Sequence, residues 1–310
     1  YYKKTNDILV QTPYIAAMGE GGEPWVNGAS MNNQGVEFTV SFKSDPSSEF
    51  QWAVSANIGT YKTELTDLPS NVINKYAGDG VHDLILGRSP NSAYGLVADG
   101  IFKTQEEVDA HADQPGKAVG RIRYKDLDGD GVINETYDRT WIGCYDPDFF
   151  GGLNFDFAYK GFDLNLFFEG MFGNDVNSDW KKESDIWLFT NPAWKNHATR
   201  MLGGWSPDNP NSDIPAISNN TANQEQRFSS WFIEDGSYIK LRNIELGYTF
   251  PTKLIKKMHM SNLRLYAAAY NVFTLKKFWG DDKYTSFDPE RPSYHYLTPF
   301  TFNFGINVSF

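Results

Sequence analysis

The chain ends in FTFNFGINVSF (residues 300–310), in which a large apolar residue occupies every second position. Successive side chains of a β-strand point to opposite faces, so the stretch predicts a strand with one apolar face and one polar face. We expect the apolar face to contact lipid and the polar face to line a wet interior, as in a transmembrane β-barrel. The residues of the polar face are Thr301, Asn303, Gly305, Asn307 and Ser309.

The same alternation recurs along the chain and predicts an all-β fold of eight strands. In the strand that includes Leu241, the apolar positions change parity before Ile244, which predicts a β-bulge near Asn243. The polar positions expected to line the interior are Asp163, Asn165, Arg264 and Tyr266. The predicted strands are residues 1–9, 35–43, 50–63, 149–159, 162–172, 236–250, 262–275 and 300–310.

The connections between these strands alternate between short and long. In an up-and-down sheet, all short connections therefore lie at one end and all long ones at the other. Tight periplasmic turns and long outer loops are typical of outer-membrane β-barrels, whereas soluble β-sandwiches have shorter strands. Eight strands could close a small barrel or form the last part of a larger one. The short connections are 44–49, 160–161 and 251–261, and the long ones are 10–34, 64–148, 173–235 and 276–299.

Composition excludes several classes of protein. Asp and Glu number 39 against 28 Lys and Arg, and a net charge of -11 argues against non-specific nucleic-acid binding. The sequence contains no run of about 18 consecutive apolar residues, so it predicts no transmembrane helix. The single cysteine, Cys144, cannot form an intrachain disulfide. The first residues, YYKKTNDILV, lack the zones of a signal peptide, so either the protein is not exported or its true N-terminus lies upstream.

Several longer stretches resemble one known family. They are RYKDLDGDGVINETYDRTWIG (123–143), DPDFFGGLNFDFAYKGFDLNLFFEGMFG (146–173), WFIEDGSYIKLRNIELGYTFP (231–251) and NLRLYAAAYNVFTL (262–275). In this order they resemble the C-terminal part of SusC/RagA-family TonB-dependent outer-membrane transporters of Bacteroidota. YYKKTNDIL at the start and NNQGVEFTV (32–40) fit the same family further upstream.

The resemblance implies a fold and a function. Such transporters are 22-stranded barrels plugged by an N-terminal domain. Residues 1–310 would be the C-terminal part of the barrel, with the plug and the N-terminal strands absent from this chain. The implied activity is TonB-dependent import of a large nutrient, an oligosaccharide in the first place or a peptide, and not an enzymatic reaction. The implied partners are a SusD-like surface lipoprotein, TonB and the remainder of the transporter, with the long loops extracellular and the C-terminus periplasmic.

An acidic loop is the strongest local motif. DLDGDGVIN (126–134) matches the first nine positions of an EF-hand-type calcium loop, which offers the oxygen ligands that Ca²⁺ prefers. Tyr137 stands at position 12, and the family resemblance makes Asp138 the closing acid after a one-residue insertion. The alternative is a turn whose Asp side chains bond their own backbone. The predicted ligands of a calcium ion that stabilises the loop are Asp126, Asp128, Asp130, Val132 (through its carbonyl), Asn134 and Asp138.

No catalytic or substrate-binding residue can be assigned from the sequence. The five tryptophans of the connection 173–235 could stack on sugars, but we favour packing within the loop or contact with a lid partner. Residues 180–197 could also form a short helix that carries three of them on one packing stripe. The histidines lack zinc-type spacing, and Cys144 is expected to be inert. Two alternative functions are a hydrolase on the barrel wall and a structural or adhesive barrel. The absence of histidine from the predicted strands argues against the hydrolase. The tryptophans are Trp180, Trp187, Trp194, Trp205 and Trp231.

Overall fold

The computed structural model describes residues 1–11, 25–70, 72–73, 77–79, 82–186, 197–218, 221–276, 285–292 and 296–310. The strands are β1 Tyr2–Gln11, β2 Trp25–Lys43, β3 Phe50–Asp67, β4 Ser92–Leu96, β5 Ala98–Ile101, β6 Ile122–Tyr124, β7 Arg139–Cys144, β8 Phe149–Tyr159, β9 Phe162–Phe172, β10 Asp175–Asn177, β11 Ile233–Asp235, β12 Tyr238–Thr249, β13 Asn262–Lys276 and β14 Thr301–Ser309. The helices are α1 Gln105–Ala110, α2 Asp179–Lys181 and α3 Thr252–Ile255, and single 3-10 or π turns cover Lys182–Ile186, Thr199–Gly203, Thr221–Asn223, Ser230–Phe232 and Lys256–Met258. None of the helices in these ranges is long and apolar enough to cross a membrane.

Eight long strands form one antiparallel sheet in the order β1-β2-β3-β8-β9-β12-β13-β14. Seven of them begin and end within a few residues of the prediction. The start predicted for β2, residue 35, is wrong, because the strand begins at Trp25. Its first ten residues are rich in Asn and Gly, which favour turns. They nevertheless pair with β1 from Gln11↔Trp25 to Tyr2↔Gln34, and Ala29 is buried in a cluster with Val10 and neighbouring apolar residues.

The sheet has two chemically distinct faces, which we call the apolar face and the polar face. Leu265 pairs with Ile306 on the apolar face, and Tyr266 pairs with Gly305 on the polar face. Phe304, at mid-strand on the apolar face, is 79% exposed. Such a broad exposed apolar surface indicates a lipid or protein environment on that side. The predicted bulge is present, because the register of β12 shifts between Leu241 and Asn243 against both of its neighbours.

Aromatic side chains form a band at the end of the sheet that carries the short turns. Phe50 stacks on Phe157 with ring centroids 6.1 Å apart, and the rings of Phe162 and Tyr248 lie 4.6 Å apart. At the opposite end, Phe149 and Phe172 stack at 4.8 Å. Bands of this kind at both ends of the strands match the interfacial girdles of membrane proteins.

The long connections fold into a layer of their own at one end of the sheet, which we call the loop layer. It contains three two-stranded sheets, β4–β7, β5–β6 and β10–β11. An ion pair between Arg121 Nη1 and Glu225 Oε2 (2.7 Å), whose side chains are each 6% exposed, joins two of its segments. Burial lowers the pKa of Arg121 and raises that of Glu225. Its apolar core consists of Leu96, Ile101, Ile122, Tyr124, Ile133, Ile186 and Phe232.

Replacing Gly305 by alanine should destabilise the fold. A Cβ there would overlap Cζ of Tyr266, whose ring covers the glycine on the polar face. Overpacking of this kind costs about 1–3 kcal/mol. We expect denaturant unfolding of the full-length protein to show the loss for Gly305→Ala, and Tyr266→Ala in the same chain to restore most of it. Equal instability of the single and double variants would contradict the contact.

A charge on the apolar face should be far more costly than one on the polar face. Arginine at the middle of a lipid-facing strand costs about 2–4 kcal/mol, and Phe304 lies at that depth. We expect Phe304→Arg to lower the stability of the full-length protein in lipid vesicles, measured by urea unfolding. Asn303→Arg, one residue away on the polar face, is the matched control. Similar losses for both variants would overturn the assignment of the faces.

Candidate functional site

The polar face carries a continuous set of hydrogen-bonding groups. At the end nearest the short turns, Arg264 forms ion pairs with Asp163 and with Glu245, the latter at 2.7 Å. Its guanidinium also lies 5.2 Å from the ring centroid of Tyr266. These contacts place Asp163, Arg264 and Tyr266 on one face, as the alternation predicts. Pairing with Glu245 and Asp163 lets an arginine stay charged on the wall of the sheet.

Amide side chains continue this surface along the sheet. Asn165 Nδ2 donates to Asn154 Oδ1 (2.9 Å) and to Asp156 Oδ1 (2.7 Å). Asn243 Nδ2 donates to Asn165 Oδ1 at 2.9 Å. The predicted interior position of Asn165 is therefore at the centre of a polar cluster contributed by β8, β9 and β12.

The bulge in β12 turns Arg242 to the polar face beside Asn243. A bulge places two consecutive residues opposite one, so both side chains can leave on the same side. Arg242 makes a bidentate contact with Glu169, with Nε–Oε2 at 2.8 Å and Nη2–Oε1 at 2.7 Å. Its Nη1 donates to Asn271 Oδ1 at 3.2 Å, and Asn271 itself has a left-handed backbone conformation (φ 54°). The irregularity thus supplies a fixed cation to the polar face.

Residues 285–292, from the connection before β14, are fastened to this wall. Lys240 is 2% exposed, and its Nζ lies 3.3 Å from Asp288 Oδ2 and also contacts Glu290. Glu290 also forms an ion pair with Arg242, and its Oε1 accepts a hydrogen bond from Tyr238 Oη at 3.1 Å. Burial alone would raise the pKa of Glu290, but Lys240 and Arg242 outweigh it and lower that pKa. Both carboxylates of the segment are therefore matched by cations of the sheet.

A concave pocket of about 580 Å³ lies where the polar face meets the loop layer. Met171 and Tyr238, a cross-strand pair, form its wall on the sheet side, and Pro289 of the fastened segment borders it. Asp175 and Asp179 supply carboxylates to its rim. The volume is in the range of pockets that bind small organic groups.

The acidic loop has the compact form that the motif predicts. One carboxylate oxygen each of Asp126, Asp128 and Asp130 lie within 4.8 Å of one another. The two oxygens of Asp126 accept the amides of Gly129 (2.7 Å) and Gly131 (2.9 Å). These contacts pre-form the turn, and they also show that the Asp side chains bond their own backbone. No other group of three potential His, Cys, Asp or Glu ligands converges in this way among the described residues.

The remaining predicted ligands lie on the C-terminal side of the loop. Asp138 is fully buried, and its carboxylate accepts the amides of Leu127 (2.8 Å) and Asn134 (2.7 Å), so it closes the loop through the backbone. Asn134 Oδ1 accepts the amides of Thr136 and Tyr137. The side chain of Val132 is exposed, and only its carbonyl is offered as a ligand. These three positions stay predictions.

The tryptophans of the connection 173–235 that the structure describes pack against apolar neighbours. Trp205 and Trp231 pack against the core of the loop layer, and the ring of Trp180 lies 4.6 Å from that of Phe287. Trp187 and Trp194 lie outside the described residues, as does most of the helix suggested for 180–197, of which α2 and one π turn are seen. Cys144 is a half-buried free thiol whose backbone amide donates to Asp175 Oδ2 at 2.8 Å.

Sequence reasoning missed the contacts of Lys240, Arg242 and Glu169 and the pocket beside them. A signal was present, because Lys240 and Glu169 occupy alternating positions that share the polar face. The carboxylate partners of Lys240, Asp288 and Glu290, lie in a long connection 48 and 50 residues further along the chain. No local pattern could bring those segments together.

Comparison with known proteins identifies relatives across the whole chain. No protein-family model matches. The TonB-dependent receptor P3 of Formosa agariphila is 29% identical over 328 residues, which cover all of this chain and 32% of the receptor. The TonB-dependent receptor SusC of Bacteroides thetaiotaomicron is 25% identical over 323 residues, which cover all of this chain and 29% of SusC. A solved structure of the RagAB peptide transporter matches with a TM-score of 0.75 and 23% identity, over all of this chain and 32% of that one.

Each of these matches covers the whole of this chain and about a third of the relative. The chain spans about a third of the length of the curated relatives it matches. The likeness to RagAB shows the fold, an eight-stranded portion of its barrel. Both curated relatives are named as TonB-dependent receptors. Over its full length, the chain is homologous to the C-terminal third of TonB-dependent receptors of the SusC/RagA family of Bacteroidota.

Proposed function

We propose that residues 1–310 form the C-terminal part of the transmembrane barrel of a TonB-dependent importer in the outer membrane. The observation that carries the proposal is the homology over the whole chain to the C-terminal third of such receptors. The sheet supports it, because β1 and β14 are edges whose backbone groups need partners in lipid. Those partners would be the remaining strands of a 22-stranded barrel, with the plug and the segment that contacts TonB outside this chain.

The orientation follows from the sorting of the connections. The loop layer would be extracellular, and the short turns and Phe310 periplasmic, as in other outer-membrane barrels. The apolar face would contact lipid between the two aromatic bands. The polar face, with Arg264, Arg242 and their carboxylate partners, would line the lumen.

The cargo would be a large nutrient, an oligosaccharide in the first place or a peptide. Hydroxyl, amide and charged groups along the lumen suit a solute rich in hydrogen bonds, and no bond is made or broken during passage. A SusD-like surface lipoprotein would cap the loop layer, which offers a folded platform with its own core. RagAB, which shares the fold, is described as a peptide transporter.

The acidic loop would hold a calcium ion as a stabiliser of this platform. Asp126, Asp128 and Asp130 fit the first three ligand positions, since their oxygens converge within 4.8 Å. The Val132 carbonyl, Asn134 and Asp138 would complete the set of oxygens, Asn134 by giving up one of the two amides that its Oδ1 accepts. Carboxylate oxygens that accept one backbone amide still have a lone pair for a cation.

Loss of the full-length gene should abolish energy-dependent uptake of its nutrient. We expect a deletion strain and a TonB-deficient strain to lose import of the same isotope-labelled oligosaccharides or peptides, and the intact gene to restore it. The measurement is accumulation of label in cells supplied with fractionated glycan and peptide mixtures. Uptake that is independent of TonB, or an upstream sequence without a plug domain, would contradict the proposal and favour the structural or adhesive alternative.

Calcium should stabilise the loop layer through the acidic loop. A ligand at 100 times its Kd adds about 2.7 kcal/mol to folding stability, so chelation with EGTA should lower the Tm of the purified full-length protein. Asp128→Asn keeps a carbonyl that can accept the amide of Asp130 but removes a charge, and should weaken calcium binding in isothermal titration calorimetry. Asp208→Asn, an exposed aspartate of the same layer, is the control. Equal calcium affinity in both variants would exclude the loop as the site.

A further inference from the structure

The pocket beside the fastened segment has the position of a contact site for incoming solute. It opens on the polar face at the end where that face meets the loop layer, between Met171 and Tyr238 of the wall and Pro289 and Pro292 of the segment. Tyr145, which precedes β8, also lines the pocket. Under the proposed function, a solute would pass this point before it enters the lumen.

Two of the three carboxylates that line the pocket have no cationic partner among the described residues. Asp175 and Asp179 line it, and the charges of Asp235 and Asp148 act on Asp175. No salt bridge reaches any of these four acids within the described part of the chain. Burial and the neighbouring Asp235 and Asp148 raise the pKa of Asp175, although the Cys144 amide opposes them. Glu290 on the same rim is different, because Lys240 and Arg242 match its charge.

A buried amide adds an unused acceptor. Asn174 lines the pocket and is only 5% exposed, and its Oδ1 has no hydrogen-bond partner among the described residues. A buried carbonyl without a partner is costly, and an N–H donor would remove that cost. The pocket therefore offers acceptors and negative charge to its occupant.

The shape of the pocket favours an organic cation over a metal ion. A metal site needs several ligand atoms close together. Among the described residues, only Asp126, Asp128 and Asp130 bring three such atoms within 4.8 Å, and they do not line this pocket. Tyr145, which is 37% exposed, presents an aromatic ring, and such rings attract ammonium and guanidinium groups. Met171 and the two prolines offer apolar contact to an aliphatic stem.

We propose that this pocket binds an ammonium or guanidinium group of the imported nutrient, with Asp175 and Asp179 as counter-charges. This inference rests on the proposed function and narrows its cargo to cationic nutrients. Two sources carry that chemistry: a peptide with lysine or arginine, and an oligomer of an amino sugar. Both would present an N–H donor to Asn174 and a charge to the rim.

The test compares cationic and neutral probes on the purified full-length transporter with its lipoprotein partner. Trilysine is set against trialanine, and the glucosamine trimer against the N-acetylglucosamine trimer, by isothermal titration calorimetry at low salt. We expect the cationic member of at least one pair to bind about tenfold more tightly than its neutral counterpart. The pair that discriminates identifies the source, peptide or amino sugar.

Asp175→Asn is the decisive variant, because asparagine keeps an oxygen for the Cys144 amide while it removes the charge. We expect it to weaken binding of the cationic probe about tenfold and to leave neutral probes unchanged. Asp208→Asn, exposed and away from the pocket lining, should have no effect. Equal affinity for charged and neutral probes, or equal loss in both variants, would overturn the site.

Failure of the inference and failure of the proposed function give different results. If wild-type cells import nutrient in a TonB-dependent manner but Asp175→Asn changes no affinity, the pocket assignment is wrong and the transport function stands. If the cationic probe binds through Asp175 but no TonB-dependent uptake occurs, the site stands as a binding site and the transport function is wrong.

Discussion

The backbone hydrogen bonds between eight long strands are the interaction on which everything else in this chain depends. In lipid, each N–H and C=O must be satisfied by protein, which only a helix or a sheet paired on both sides achieves. When strands of nine to nineteen residues are paired in register, their successive side chains point alternately to the two faces of the sheet. The amino-acid pattern then gives each face its own chemistry.

The polar face shows how charge is managed on such a wall. Arg264 and Arg242 are held by carboxylates of neighbouring strands, and Lys240 is held by carboxylates of a connecting segment. Removing one partner of a buried ion pair leaves an uncompensated charge, which commonly costs about 3–5 kcal/mol. That is a large part of the free energy of unfolding of a typical domain, about 5–15 kcal/mol. The balanced charges therefore serve structure. The acids around Asp175 accept hydrogen bonds from neighbouring groups but have no cationic partner among the described residues, and the proposed binding site rests on this contrast.

Much of the fold could be read from the sequence, because strand periodicity is local. The alternation in β9 and β14 fixes both their limits and their faces, and the change of parity after Leu241 reveals the bulge. The first half of β2 was not predicted as a strand, because its Asn and Gly residues are typical of a loop and only its pairing with β1 makes it a strand. The Asp126–Asp130 turn was visible since its residues are adjacent. The link from Lys240 to Asp288 was not, because it depends on how a long connection folds back.

The bulge at Arg242 also bears on how such a strand can change over generations. In a regular strand, insertion or deletion of one residue exchanges the two faces of everything beyond it, and such changes are removed by selection. Strands of this sheet can therefore grow or shrink only by pairs of residues, whereas the connections at the loop-layer end are free to vary in length. The bulge is the exception, since it already absorbs one residue and keeps both halves of β12 correctly sorted. Its extra residue, Arg242, is a cation with three partners, Glu169, Asn271 and Glu290, so a length change of one residue at this point would act on those contacts and not on the sorting of the faces.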